Sequence, residues 1–207
     1  MSQNRKNKRF VYLISPNKIK NKDFYNKLHQ VLSSKKVGFF QLRLKKENIR
    51  NKIYIGKKIK KICKKYQVKF LINDNPMLAK KVNADGCHLG QKDMNILKAR
   101  KILKNKIIGI TCHNSINLAK KAITDGASYL AIGAFYSSKT KKVKYKASLK
   151  ILSLTKKLTN TPIVAIGGIK DTNYKKLLLN KANFLAISSY IWNNKKLNPK
   201  EAINKII

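Results

Sequence analysis

Three of the chain's few carboxylates stand in one stretch, FLINDNPMLAKKVNADGCHLGQKDM, which spans residues 70–94. The chain has 207 residues, with 8 Asp and Glu against 48 Lys and Arg, and a formal net charge of +40. Asp74 and Asp93 each follow a predicted strand, and one or two carboxylates with substrate phosphates and water are the usual ligands of Mg²⁺. These two residues are therefore candidate metal ligands. Asp85 precedes Gly86, which is typical of a turn that enters a strand.

Lysine dominates the basic residues, of which 43 are Lys and five are Arg. A basic face can bind nucleic acid by releasing condensed counterions, so a nucleic-acid-binding protein is one alternative. The scarcity of Arg disfavours it, because base edges and phosphates are recognised best by the bidentate guanidinium group. The Lys residues are scattered among abundant Asn and Ile, as an AT-rich coding sequence produces. Arg43 is one of the five Arg residues and lies in an apolar run, which suits a bidentate phosphate contact.

The length fits one domain with a substantial core. Apolar runs such as YLAIGAF and PIVAIGG are strand-sized, well short of the roughly 18 residues of a membrane span, and the apolar run before Pro16 is too short for a signal peptide. We therefore predict a cytoplasmic protein with no membrane partner. Cys63, Cys87 and Cys112 fit neither a disulfide framework nor a zinc site, and we expect them to be buried and reduced.

Short β-branched and aromatic runs recur along the chain, separated by Lys-rich segments with apolar residues at helical spacing. Strands alternating with helices imply right-handed crossovers and a parallel sheet, and eight such units close into a TIM barrel. A doubly wound open sheet is the alternative, but no G-x-G-x-x-G follows the first strand. We predict a single α/β domain, a (β/α)8 TIM barrel over residues 10–207, after a basic tail of residues 1–9. The eight runs are RFVYLIS, FFQLRLK, KFLIND, GCHLG, IIGITCH, YLAIGAF, PIVAIGG and FLAISSY.

The residues that close each run are expected at one rim, because the carboxyl ends of the strands form the catalytic face of such a barrel. Gln41, Arg43 and Lys45 alternate and are expected on one face of the second strand. Gly167 and Gly168 fit the phosphate site common after the seventh strand. A glycosidase would want two carboxylic acids flanking a sugar, whereas the surrounding cations favour a diphosphate. The other residues expected at the rim are Asn73, Asp74, His88, Gln91, Asp93, Thr111, His113, the SSKTKK loop at 137–142, Ser188 and Ser189.

Seven segments, in order along nearly the whole chain from Phe10 onward, resemble the thiamine phosphate synthase family. Leu44 stands where the family often has Glu, Thr111 where it often has Ser, and Ser137 with Ser138 where it often has Pro-Thr. Thr111 and Ser138 keep the hydroxyl group. The matching segments are QLRLK (41–45), INDN (72–75), ADGCHLGQKDM (84–94), GITCH (109–113), GAFYSSKTK (133–141), AIGGI (165–169) and AISS (186–189).

The resemblance implies a transferase with Mg²⁺ as cofactor, which joins hydroxymethylpyrimidine diphosphate to thiazole phosphate through a pyrimidine methylene cation. Asp74 and Asp93 would bind Mg²⁺. The diphosphate substrate would be held by Gln41, Arg43, Lys45, Asn73, Thr111 and Lys141, of which Arg43, Lys45, Thr111 and Lys141 would be catalytic. The thiazole phosphate would be held by Ser138, Lys139, Thr140, Gly168, Ser188 and Ser189.

Two alternatives stay open beside this prediction. A thiazole tautomerase with a similar barrel lies near the family, and it would not need Asp74, Asp93 or the SSKTK segment. A basic nucleic-acid-binding module would bind generic RNA or DNA with a steep salt dependence and would not need the rim residues. The prediction is of small-molecule substrates without a specific nucleic-acid partner, and the oligomeric state stays open, including a homo-oligomer.

Overall fold

Eight parallel strands close into a barrel in the computed structural model, which describes residues 9–19, 22–137 and 145–206. Each strand pairs with the next along the chain, and the last pairs with the first, with Val11 opposite Leu185. The predicted (β/α)8 TIM barrel is confirmed, and the open sheet is excluded. The strands are β1 (Val11–Ile14), β2 (Val37–Leu42), β3 (Lys69–Asn73), β4 (Gly86–Leu89), β5 (Ile107–His113), β6 (Tyr129–Gly133), β7 (Ile163–Ile166) and β8 (Phe184–Ile187).

Helices connect the strands, and short polar side chains cap several of them. Asn48, Asn75 and Asn95 each accept a hydrogen bond from the backbone N–H three positions later. Such caps satisfy donor groups that a helix N-terminus leaves unpaired, so part of the Asn content has a local structural use. The helices are α1 (Asp23–Leu32), α2 (Ile49–Lys65), α3 (Pro76–Lys81), α4 (Ile96–Leu103), α5 (Ile116–Thr124), α6 (Lys150–Leu158), α7 (Tyr174–Leu179), α8 (Ser189–Trp192) and α9 (Pro199–Lys205).

The core has two apolar layers, as the alternation of side chains along each strand requires. One layer fills the barrel with large and small side chains, including Tyr12, Leu71, Tyr129 and Val164. The other lies between the strands and the helices, and its residues include Phe40, Phe70 and Ile59. Gly109 of β5 belongs to the inner layer, because a Cβ atom there would overlap the ring of Tyr129.

The amino ends of the strands are joined by polar contacts far from the predicted rim. Asp85 precedes β4 and accepts hydrogen bonds from Lys60 Nζ at 2.8 Å and from the Phe70 backbone N–H at 2.7 Å. The predicted structural role of Asp85 is thus confirmed. Arg9 donates to the carbonyl oxygens of Tyr66 and Gln67, at 2.9 and 2.7 Å, so it is attached to the barrel. Residues 1–8 of the predicted tail lie outside the described residues.

The three cysteines are free and buried, as predicted. Burial raises the pKa of each thiol above its ordinary value, to about 12 for Cys112. A thiol with a raised pKa is a poor nucleophile, which agrees with a packing role. In the part of the chain that the structure describes, no helix is long and apolar enough to cross a membrane.

Candidate active site

Two amide side chains meet at the carboxyl ends of β2 and β3. Gln41 is only 3% exposed, and its Nε2 donates to Oδ1 of Asn73 at 2.6 Å. Within the described residues, Oε1 of Gln41 and the Nδ2 group of Asn73 make no other hydrogen bond. An acceptor and a donor are therefore left at fixed positions at the rim, which suits recognition of a polar heterocycle.

Arg43 is positioned by the loop that follows β1. Its backbone N–H donates to Oγ of Ser15 at 2.9 Å, and its guanidinium group donates to Oδ1 of Asn17 at 3.2 Å. Because β2 ends at Leu42, Arg43 and Lys45 lie beyond the strand, and the predicted alternation of three residues on one strand is wrong. The chain leaves the sheet here, which puts both cations at the rim.

Leu44, between these two cations, is 4% exposed and packs in the layer between strands and helices. The family resemblance leads one to expect Glu at this position, but the apolar surroundings accommodate Leu44. Leu44 also lines a cavity of about 270 Å³ between β2, β3, α2 and α3. The cavity is lined by Leu42, Leu44, Lys45, Lys52, Ile72, Asn73, Asp74, Asn75 and Leu78.

A larger cavity, of about 580 Å³, lies at the amino ends of the strands, beside Arg9 and Tyr66. It contains none of the predicted site residues. The smaller cavity is therefore the one that belongs to the rim, since Lys45, Asn73 and Asp74 line it.

Asp74 and Asp93 form a carboxylate pair beside a lysine. Nζ of Lys45 is 3.3 Å from Oδ2 of Asp74. Asp74 has a left-handed backbone (φ +64°), held by a hydrogen bond from its N–H to the carbonyl oxygen of His88 at 2.7 Å. Backbone strain of this kind is common at functional sites. Oδ2 of Asp93 accepts a hydrogen bond from the Gly90 backbone N–H at 2.7 Å.

Burial, and then the neighbouring Asp74 carboxylate, raise the pKa of Asp93, although the Gly90 N–H and Lys45 act in the opposite direction. The Asp74 carboxylate disfavours the negative charge of Asp93, and a divalent cation bound by both groups would relieve this effect. No third His, Cys, Asp or Glu joins them to form a metal-binding group within the described residues. Two oxygen ligands with room for phosphate and water fit Mg²⁺, which retains several waters and binds through few carboxylates.

His88 and Thr111 lie on neighbouring strands and are connected to the barrel interior. His88 Nε2 is 2.9 Å from Oγ1 of Thr111, and its Nδ1 is 2.8 Å from the Tyr129 hydroxyl. The Tyr129 hydroxyl is in turn 2.8 Å from that of Tyr12. Burial and the nearby Arg43 lower the pKa of His88 to about 4, against the effect of Asp74. The imidazole ring is thus neutral at pH 7.

The glycine pair after β7 lies where a phosphate site was predicted. Gly167 and Gly168 have φ values of +108° and +59°, and a Cβ atom at Gly168 would overlap the carbonyl oxygen of Ser137. Glycine is therefore required for the loops after β6 and β7 to approach one another. This approach places the start of the SSKTKK loop beside Gly168.

The two serines after β8 lie at the same rim. Ser188 Oγ donates to the carbonyl oxygen of Ser15 at 3.2 Å, and Ser189 begins α8. Ser138, Lys139, Thr140 and Lys141, which were predicted to hold phosphate groups, lie outside the described residues.

Some residues of the site were not predicted from the sequence. Ser15 and Asn17 close the first strand at the same rim, so the positional rule that identified the other residues also applies to them. Lys52 lines the cavity from α2, and nothing in its sequence context distinguishes it from other lysines.

The fold and the site define a class: a (β/α)8-barrel enzyme whose catalytic face combines two carboxylates with cationic and amide groups. A family model described as thiamine monophosphate synthase matches residues 11–191. Thiamine-phosphate synthase of Pelagibacter ubique (strain HTCC1062) is 75% identical over 206 residues, which cover 100% of both chains. That of Nitrosomonas eutropha (strain DSM 101675 / C91 / Nm57) is 37% identical over 183 residues, covering 88% of this chain and 86% of the relative.

A solved structure agrees with these sequence relationships. Thiamine phosphate pyrophosphorylase from Pyrococcus furiosus superposes with a TM-score of 0.84 at 27% identity, over 98% of this chain and 96% of that one. The chain belongs to the thiamine monophosphate synthase family, and it is an enzyme of the transferase class. The family resemblance expected from seven short segments is thereby confirmed.

Proposed function

We propose that this protein condenses hydroxymethylpyrimidine diphosphate with thiazole phosphate, giving thiamine phosphate and diphosphate, and that the reaction requires Mg²⁺. The names of the relatives support the overall reaction. One observation carries the finer assignment: the carboxylate pair Asp74 and Asp93 lies at the rim beside Lys45, with Arg43 on the neighbouring segment. Carboxylates among cations suit a metal–diphosphate complex better than a neutral ligand.

Asp74 and Asp93 would hold the metal ion, with substrate oxygens and water as the remaining ligands. Bound there, Mg²⁺ would neutralise charge on the diphosphate and act as a Lewis acid. Lys45 contributes to the same charge balance, because its ammonium group is 3.3 Å from Asp74.

The leaving group departs as the C–O bond between the pyrimidine methylene carbon and the diphosphate breaks, with both bonding electrons going to the diphosphate oxygen. Arg43 and Lys45 stabilise the charge that develops on that oxygen, and Lys141 is assigned the same role. The thiazole nitrogen then donates its lone pair to the methylene cation and forms the new C–N bond. No protein nucleophile takes part, which is consistent with the buried, poorly nucleophilic thiols.

Binding of the two substrates is divided between the two sides of the rim. Gln41 and Asn73 present an acceptor and a donor to the pyrimidine substrate, and Thr111 donates its hydroxyl to the diphosphate. The thiazole phosphate lies against Gly168 and the hydroxyl groups of Ser188 and Ser189. Ser138, Lys139 and Thr140 complete this second site.

The experiment that tests the proposal is an assay of purified protein with both phosphorylated precursors, scored for thiamine phosphate and diphosphate. The wild-type protein is expected to form both products with Mg²⁺ and to form neither with EDTA. Asp93→Ala is expected to lower turnover by at least about 100-fold, because leaving-group stabilisation of this kind contributes about that much.

Asp125→Asn is the matched control, since Asp125 pairs with Lys121 at the C-terminal end of α5, on the opposite face of the barrel. It is expected to keep wild-type turnover. Full activity of Asp93→Ala would sink the metal-ligand assignment, and well-folded wild-type protein that forms no product with Mg²⁺ would sink the reaction itself.

A further inference from the structure

We propose that His88 is a positioning residue. The buried hydroxyl groups of Tyr129 and Tyr12 keep the ring hydrogen of His88 on Nε2. The Nε2–H group donates to the Thr111 hydroxyl, which is thereby fixed as a hydrogen-bond donor to the diphosphate. This inference rests on the proposed function, because it takes the diphosphate as the ligand of Thr111. It goes beyond that function by assigning a role to His88, Tyr129 and Tyr12, none of which is among the groups assigned to substrate or metal.

The four residues form one continuous chain of hydrogen bonds. Tyr12 and Tyr129 bond to each other at 2.8 Å, Tyr129 bonds to His88 Nδ1 at 2.8 Å, and His88 Nε2 bonds to Thr111 Oγ1 at 2.9 Å. Both tyrosines are 2% exposed, so water does not compete for their hydroxyl groups. The chain runs from the closed interior of the barrel to the catalytic rim.

Burial of its inner end fixes the direction of the chain. Within the described residues, the Tyr12 hydroxyl has Tyr129 as its hydrogen-bond partner. If hydrogens pointed inward along the chain, the Tyr12 O–H would be buried without an acceptor, which is costly. Every hydroxyl is satisfied when Tyr12 donates to Tyr129, and Tyr129 donates to Nδ1 of His88. The Nε2–H group of His88 then donates to Thr111.

Thr111 consequently accepts from the histidine and keeps its own hydroxyl hydrogen for a ligand. The Thr111 backbone is held as well, because Nε2 of Gln91 donates to its carbonyl oxygen. Because the Thr111 oxygen accepts from His88, the hydroxyl group is held in place and its hydrogen stays free to donate to the diphosphate. It needs little reorganisation as charge develops on the leaving group, and such preorganised donors lower the reaction barrier most.

The packing of the barrel supports the chain. The rings of His88 and Tyr129 are stacked, with centroids 5.7 Å apart, and the rings of Tyr12 and Tyr129 are arranged edge to face, with centroids 5.6 Å apart. Gly109 leaves the space that the Tyr129 ring fills. The imidazole ring is thus held by contacts on its face as well as through both nitrogen atoms.

The first measurement is made on the wild-type protein and does not depend on activity. Nitrogen NMR of ¹⁵N-histidine-labelled protein at neutral pH, with His88 assigned through its backbone, is expected to show a neutral ring protonated on Nε2. A ring protonated on Nδ1, or on both nitrogens, overturns the proposal. The NMR result does not depend on whether the protein forms thiamine phosphate. Failure of the His88 proposal can therefore be distinguished from failure of the proposed function.

The second measurement is a double-mutant cycle in the assay. Tyr129→Phe removes the donor to Nδ1 and is expected to lower kcat roughly tenfold, with a smaller change in KM, as loss of one hydrogen bond in the transition state would. In a Thr111→Val background, the same substitution is expected to change kcat by less than about twofold. An equal loss in both backgrounds would mean that Tyr129 supports only the fold, and would overturn the proposal.

Tyr12→Phe is the matched control, because it also deletes one buried hydroxyl from the same chain. Tyr129 can still donate to Nδ1 in this variant, so the Nε2 tautomer is expected to persist and kcat to fall less than in Tyr129→Phe. Thermal unfolding of each variant identifies loss of the fold. The assigned direction of the hydrogen bonds, from Tyr12 toward Thr111, is contradicted if Tyr12→Phe loses the Nε2–H tautomer of His88 while Tyr129→Phe retains it.

Discussion

Three aspartates from one stretch of sequence have three different environments. Asp85 is neutralised by Lys60 at the amino ends of the strands, and Asp74 contacts Lys45 at the opposite rim. Asp93 accepts a hydrogen bond from a backbone N–H and has a raised pKa. The environment that each strand end provides, rather than proximity in sequence, therefore decides which carboxylate is structural and which is available to a ligand.

Replacing Asp93 with Asn tests the carboxylate pair without a substrate. In EDTA at neutral pH, Asp93→Asn is expected to melt about 1–2 °C above the wild type, because a solvent-screened charge beside another carboxylate is removed. Asn retains the side-chain oxygen that accepts from Gly90. Adding Mg²⁺ is expected to raise the melting temperature of the wild type more than that of the variant, as differential scanning fluorimetry would show.

The sign of the pH dependence follows from the raised pKa of Asp93. Asp93 binds its proton more tightly in the folded state than in the unfolded state. The protonated side chain therefore contributes fully to stability below the unfolded pKa of about 4. This contribution is lost as the pH rises through the folded pKa. The difference in stability between variant and wild type should therefore widen as the pH rises from about 4 through the folded pKa of Asp93, and should then stay constant. A gap that narrows with rising pH contradicts the assignment, and Asp125→Asn serves again as the control.

At the scale of helices and strands, much of the fold could be predicted. Seven of the eight predicted runs contain a whole strand, and IIGITCH matches the bounds of β5, whereas FFQLRLK begins two residues after the start of β2. β-branched and aromatic runs bounded by turn residues give a strong signal when both faces of a strand are buried. The bounds of β2 were less well predicted, because QLRLK continues an apolar alternation after the strand has ended at Leu42.

The hydrogen-bond chain in the barrel could not be predicted. Tyr12 and Tyr129 are 117 residues apart, and nothing local distinguishes an inward-facing tyrosine from an outward-facing one. The shared location of Asp74, Asp93, Gln41 and Asn73 at one rim could be predicted, because parallel strands place their carboxyl ends together. Contacts across the barrel depend on stagger and tilt, which sequence periodicity does not specify.

Gly109 of β5 provides a test at this scale. Gly109→Ala is expected to destabilise the protein by about 3 kcal/mol, because the new Cβ atom overlaps the Tyr129 ring in a filled barrel. Gly126→Ala is the comparison: nothing lies within 4 Å of its Cβ position, but its φ of +82° strains an L-residue, at a cost of about 1 kcal/mol. Denaturant unfolding of both variants would show the difference, and a smaller loss at Gly109 than at Gly126 would contradict this packing.

For the whole molecule, the formal net charge of +40 opposes compaction. Few of the cations have acidic partners. The ion pairs among the described residues are Lys27–Asp23, Lys45–Asp74, Lys60–Asp85 and Lys121–Asp125. Most lysines therefore extend into solvent and repel one another over distances that salt can screen.

The salt dependence of stability checks this view. Raising NaCl from about 10 mM to about 150 mM shortens the Debye length from about 30 Å to about 8 Å, and is expected to raise the melting temperature by at least about 2 °C. Sodium acetate at equal ionic strength should act similarly, which separates screening from anion binding at the catalytic face. A melting temperature that falls with salt would show that attractive pairs dominate instead.

The pairing of β1 with β8 also has a consequence for how the chain is made. β1 leaves the ribosome first, but Leu185, the partner of Val11, is added when most of the chain has already emerged. Until then the nascent sheet has two open edges, which can pair with other chains. A polypeptide that ends before β8 is therefore expected to aggregate through these edges rather than to form a smaller enzyme.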